Sequence, residues 1–128
     1  MSMSCIRDAL RLLLLALWSA GATGIAVGSA IGAELTFVLR IENGHVPADM
    51  RLIRVKQNDV VRLQWSTDKP MTIHLHGYDI EKRLVPGAMI DMTFAARASG
   101  RFTVEPHLAS ASGDHTHGDV LVTIEVYP

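Results

Sequence analysis

Five of the six histidines in this 128-residue sequence fall in two short windows. His74 and His76 stand two apart in Thr72-Ile73-His74-Leu75-His76-Gly77-Tyr78-Asp79, and His107, His115 and His117 follow further on. Imidazole is a ligand for copper, zinc, nickel and iron. The first window reads as a β-strand. Side chains alternate across a strand, so Thr72, His74 and His76 share one face while Ile73 and Leu75 enter a core. Two imidazoles at the end of one strand, with an apolar anchor behind them, make half of a metal site. The fold must bring the second window to them. A solvated reading stands beside this one: His-x-His pairs also occur on exposed strands, and Gly113-Asp114-His115-Thr116-His117-Gly118 reads equally as a polar loop. His45, in an early turn beside Pro47, reads as structural or solvated. Asp114 and Asp119 are either turn residues or carboxylates that orient an imidazole. Met71, Met89 and Met92 are soft donors, but Met71 shares the parity of Ile73 and Met92 has core parity, which favours packing for both.

Other chemistries find little support. Ser110 and Ser112 lack a nucleophile-elbow pattern, there is no phosphate-cradling glycine loop, and no two carboxylates stand out as an acid/base pair. Twelve Lys+Arg against thirteen Asp+Glu, with no basic block, exclude nucleic acid as a partner on charge grounds.

The elements that must position the histidines begin after a leader. Residues 1–11 carry Arg7 and Arg11 against Asp8, and residues 12–33 carry no charge. A basic stretch followed by an apolar one is the pattern of an export signal. Small residues close it, with cleavage after Ala30 or Ala33. Left uncleaved, the apolar run is about as long as the ~20 residues a bilayer span needs. The single cysteine, Cys5, lies in this leader, so residues 34–128 offer no thiolate ligand and no disulfide.

From residue 34 onward the pattern alternates in short runs. Leu35, Phe37, Leu39 and Ile41 form one inward set; Ile53 and Val55 a second; Val61, Leu63 and Trp65 a third. Gln57-Asn58-Asp59 and Pro86-Gly87 are turns. Residues 80–85 read as a short edge strand. Ile90, Met92 and Phe94, then Phe102 and Val104, continue the series. Pro106 is expected to stop the strand that holds Phe102 and Val104, leaving residues 107–118 as a loop. Val120, Val122, Ile124 and Val126 form the closing strand. No amphipathic helix is evident outside the leader. Seven or eight strands spaced by about ten residues predict an all-β sandwich or barrel, small enough that its core is not generous.

Val60-Val61-Arg62-Leu63 after a polar turn, His74-Leu75-His76-Gly77-Tyr78-Asp79, Ala98-Ser99-Gly100-Arg101-Phe102-Thr103, and Pro106-His107 together resemble a cupredoxin. The resemblance covers nearly all of residues 34–128. It is nearest to exported cupredoxin-like proteins whose middle strand reads H-x-H-G-Y-D, and it is similar to the His-x-His-Gly segment of multicopper oxidase domains. It implies a Greek-key β-sandwich with a copper site at one pole. His74 matches the family's first His ligand and His107 its second, while His115 or His117 falls near the Met position. Val104 or Glu105 stands where blue-copper members have Cys. The resemblance therefore implies copper binding without a blue-copper electron-transfer centre.

The expectation is thus a signal segment at residues 1–33 and a cupredoxin-like domain at residues 34–128. That domain is a non-enzymatic, exported copper-binding protein of the periplasm or another extracytoplasmic space. Copper, as Cu(II), is the expected ion, with zinc second. Its ligands are drawn from His74, His76, His107, His115 and His117, and its role is copper storage, delivery or sensing. An exported or membrane protein is a candidate partner. Two alternatives are a metal-free interaction module and a membrane-anchored accessory of a redox or metal-uptake system.

Overall fold

A computed structural model describes residues 32–109 and 115–128. The expected leader, Cys5, Ser110, Ser112 and Asp114 lie outside the described residues. The strands are β1 (Glu34–Ile41), β2 (Leu52–Lys56), β3 (Val60–Thr67), β4 (Met71–Leu75), β5 (Ile80–Leu84), β6 (Ile90–Ala95), β7 (Gly100–Ala109), β8 (His115–His117) and β9 (Val122–Tyr127). A single 3-10 turn, Ala48–Met50, is the only helical element among the described residues. None of these residues forms a helix long and apolar enough to cross a membrane.

Alternation sorts the strands into two layers. One sheet has the order β1-β3-β6, with β1 parallel and β6 antiparallel to β3. The other has the order β2-β9-β7-β4-β5, with β8 also paired to β7. The inward residues of both sheets fill one core. Val61, Leu63 and Trp65 of β3 are fully buried, as are Ile73 and Leu75 of β4, Met92 of β6 and Val104 of β7. The period-2 pattern predicted each of them. The expected edge strand at residues 80–85 is β5, at one end of the larger sheet.

The strand through Val104 does not stop at Pro106. β7 runs on to Ala109, and the segment expected to be a loop returns as β8. Proline is tolerated in a strand where its missing N–H is not needed. Pro106 meets that condition. β7 pairs His107 with His117 but Val104 with Val122, so three steps on β7 face five on the other side. The two extra residues form a bulge between β8 and β9 beside Pro106, whose carbonyl still accepts from Gly118 N–H at 3.1 Å. The bulge also breaks the expected alternation of the closing strand. Leu121 and Val122 are both buried, and Val120, expected inward, is exposed.

At the other end of the larger sheet's outer face, Glu125 is nearly covered. It accepts from Tyr127 Oη at 2.7 Å, from Arg54 Nε at 3.1 Å and from Arg101 Nε at 2.8 Å. The Tyr127 hydroxyl, then Arg54, then Arg101 hold its carboxyl down from the ordinary 4.5 to about 2. The folded state therefore binds this proton less readily than the unfolded chain. Its contribution to stability is present above about pH 4.5 and is lost as pH falls towards 2. Thermal melts between pH 5 and pH 2.5 should show a decline in melting temperature that Glu125→Gln makes shallower, from a lower starting value. An unchanged slope in that variant would mean another carboxylate carries the acid sensitivity.

Candidate metal centre

The outward face of the larger sheet is a grid that the registers define. One row reads Arg83, Thr72, His107 across β5, β4 and β7, with His117 of β8 opposite His107 in the backbone pairing. The next row reads Glu81, His74, Glu105. His76 continues the ladder just past β4, its N–H donating to Thr103 O at 2.9 Å. Directly opposed residues share a face, so His74, His76, His107, Glu81 and Glu105 all rise from the side opposite the buried Ile73, Leu75 and Val104.

Three of the described imidazoles form a cluster. The rings of His74 and His76 are centred 4.5 Å apart, and those of His74 and His107 5.2 Å apart. A metal–imidazole bond of about 2.0–2.1 Å puts a ring centre roughly 3 Å from the ion, so two rings on one ion lie roughly 4.5–5 Å apart. The observed separations match that spacing. Carboxylates flank every ring: Asp79 Oδ1 lies 3.1 Å from His74 Nε2, Glu105 Oε2 3.3 Å from His76 Nε2, and Glu81 Oε2 3.5 Å from His107 Nδ1. A carboxylate accepts, so in the neutral ring His74 Nε2 carries the proton and Nδ1 the lone pair. His74 Nδ1 is buried and has no hydrogen-bond partner. Such an atom is costly to leave unsatisfied, and it has the donor chemistry of a ligand. Among the described residues, no three His, Cys, Asp or Glu side chains are already disposed around one point that could hold an ion.

The bend after β4 is built by Gly77. Its φ is +86°, and a Cβ there would come 2.6 Å from Phe102 Cδ1. Only glycine meets both conditions without strain. The bend turns Tyr78 inward, against Phe94 at 4.6 Å and Phe102 at 4.8 Å. Asp79, itself at φ 54°, is thereby returned to His74.

Of the residues singled out in the sequence, His74, His76 and His107 are brought together. For His115 and His117 the backbone places them on β8, paired with Ala109 and His107. His45 lies in a separate hairpin turn closed by its own backbone bonds to Glu42. Met92 is core, as its parity required, and Met71 is half-buried against the same core. The expected meeting point at one pole is corrected. β4 and β7 are antiparallel, so the end of β4 lies beside Thr103, whereas β7 leads into its loop beyond Thr72, at the opposite end. The imidazoles meet on the sheet face instead. Glu81, Glu105 and Asp79 were missed. Glu81 and Glu105 become visible only when the register is known, because each is distant from the histidines in sequence.

Fold and face together define the class: a cupredoxin-like β-sandwich with a histidine cluster on its larger sheet. The sequence matches no family model and no curated protein. Among solved structures, the chain is similar to the periplasmic domain of subunit II of cytochrome oxidase (CoxB) of Bradyrhizobium japonicum. The TM-score is 0.54 at 17% identity, covering 73% of this chain and 84% of that one. It is also similar to a copper binding protein solved in the apo form, with TM-score 0.56 at 12% identity, covering 74% and 89% of the two chains. A third is the blue copper oxidase of Nitrosomonas europaea, with TM-score 0.53 at 20% identity, covering 71% and 43%. At these identities the likeness is one of fold. The chain spans 65% of the matched chain of a heme-copper terminal oxidase and less than half of the blue copper oxidase, so it corresponds to a domain within those larger proteins.

Proposed function

We propose that this protein binds copper outside the cytoplasm through the histidine face of its larger sheet, for storage, delivery or sensing. His74, His76 and His107 are the ligands nearest to hand, and β8 carries His115 and His117 along the same strand edge. The observation that carries the reading is the packing of three imidazoles at ring-centre separations of 4.5 and 5.2 Å on one sheet face. Asp79, Glu105 and Glu81 then orient the rings, the role carboxylates commonly take behind metal-bound histidine. Copper-binding and periplasmic proteins among the fold's neighbours support the choice of ion and compartment. An export signal within residues 1–33 belongs to the same reading, as does an exported or membrane-bound partner. Cu(II) is preferred to Zn(II), because divalent affinity peaks at copper. Binding weakens in acid, since only neutral imidazole ligates and protons compete with the metal for it.

The ligand set predicts the spectrum. Residues 34–128 contain no cysteine, and the intense band of blue-copper sites comes from thiolate. The Cu(II) complex should be weakly coloured, with nitrogen and oxygen ligation. An intense blue band would show that the ligand set is misassigned. A second reading, a metal-free interaction module, draws on the carboxylate already within 3.5 Å of each of the three clustered rings. Absence of stoichiometric copper uptake at neutral pH would favour it.

A further inference from the structure

Beside the histidine face lies a cleft of about 630 Å³ that the metal ligands do not account for. Its walls come from the turn at His45, the start of β4, Arg83 of β5 and the bulge after β8, and His107 stands among its lining residues. Two cations, Lys69 and Arg83, line it, against the single carboxylate of Asp119. Neither cation forms an ion pair with a described residue, whereas Arg40, Arg54, Arg62 and Arg101 all do. Arg83 stands two positions from Glu81 on the same face of β5, and Glu81 is the residue that reaches His107. The cleft therefore combines unneutralised positive charge with direct access to one imidazole of the cluster.

We propose that this cleft binds a small multidentate carboxylate, with Arg83 and Lys69 holding its carboxylate groups and His107 beside it. Arg83 offers a planar fork suited to a carboxylate, and Lys69 a point charge. Such anions chelate Cu(II) through oxygen, and a chelate seated here would present its ion to His107. That last step rests on the copper reading above; the anion site itself does not.

The test is titration of citrate into the metal-free, full-length protein, in buffer without phosphate, followed by calorimetry and amide NMR shifts. Saturable binding is expected, with shifts around Lys69, Thr72 and Arg83. The double variant Lys69→Gln/Arg83→Gln should weaken it at least tenfold, while Arg97→Gln, an exposed cation elsewhere, should leave it unchanged. In citrate-free buffer the double variant should bind Cu(II) within about twofold of the parent. Copper binding can therefore fail while citrate binding stands, or the reverse. No saturation at millimolar citrate, or equal binding by the double variant, would overturn the proposal.

Discussion

Replacing His74 or His107 by alanine should weaken Cu(II) binding by about 100-fold. Structural zinc sites of four protein ligands have apparent binding energies of about 10–16 kcal/mol; taken as a guide for copper, one ligand carries roughly 3 kcal/mol, and each 1.4 kcal/mol is about a factor of ten. His74 is the hub of the cluster, in ring contact with both His76 and His107. His107 stands on the neighbouring strand, so of the three clustered rings its loss leaves only His74 and His76, two positions apart in one segment. Removing His76, with Glu105 on its Nε2, should have a smaller effect. His45→Ala should stay within about twofold, because its turn lines the cleft beside His107 but its ring is not among those in contact in the cluster, and a surface substitution of this kind is close to neutral. Competition titration against a chelator of known affinity measures all four. Parent-like binding by both His74→Ala and His107→Ala would mean that the histidine face does not hold the ion.

The largest loss of stability is expected at Trp65. Its side chain is fully buried in β3, between Leu39 of β1 and Ile90 of β6 in the backbone register. Trp65→Ala should cost about 3–5 kcal/mol, the range for truncating a buried aromatic residue. At about 4–8 °C per kcal/mol for a domain of this size, the melting temperature should drop by roughly 15 °C or more. Trp65 belongs to the sheet that does not carry the histidines, so copper affinity at temperatures where the variant stays folded should be nearly unchanged. Circular dichroism melts and copper titration on the same sample separate the two effects. A shift of only a few degrees would mean that the core collapses around the missing indole far better than a close-packed interior allows.

The layers were legible in the sequence because alternation is a local property. Val61, Leu63 and Trp65 declare their face without any knowledge of their neighbours, and so do Ile73 and Leu75. The turns at Asn58 and Gly87 were legible for the same reason. What escaped was non-local. Pro106 reads as a strand terminator unless one knows that β8 and β9 leave a bulge beside it, and that bulge also reverses the parity of Val120. The histidines were recognised by type, but their meeting place depends on the pairing of Thr72 with His107. That register moves the cluster from a pole to a sheet face and brings Glu81 and Glu105 against it. Asp79 sat in plain view within the His74 window, yet only the left-handed bend at Gly77 and Asp79 turns its carboxylate back to the ring.

On the proposed function, one Cu(II) ion is held by several imidazoles of this face at once. Pulsed electron paramagnetic resonance of the full-length protein loaded with one equivalent of Cu(II) at neutral pH tests it most directly, because the remote imidazole nitrogen modulates the signal and the modulation depth counts the rings. A thiolate-free centre with at least three imidazoles is expected, falling by one in His74→Ala. A centre with one imidazole or none, or a signal unchanged by that substitution, would contradict it.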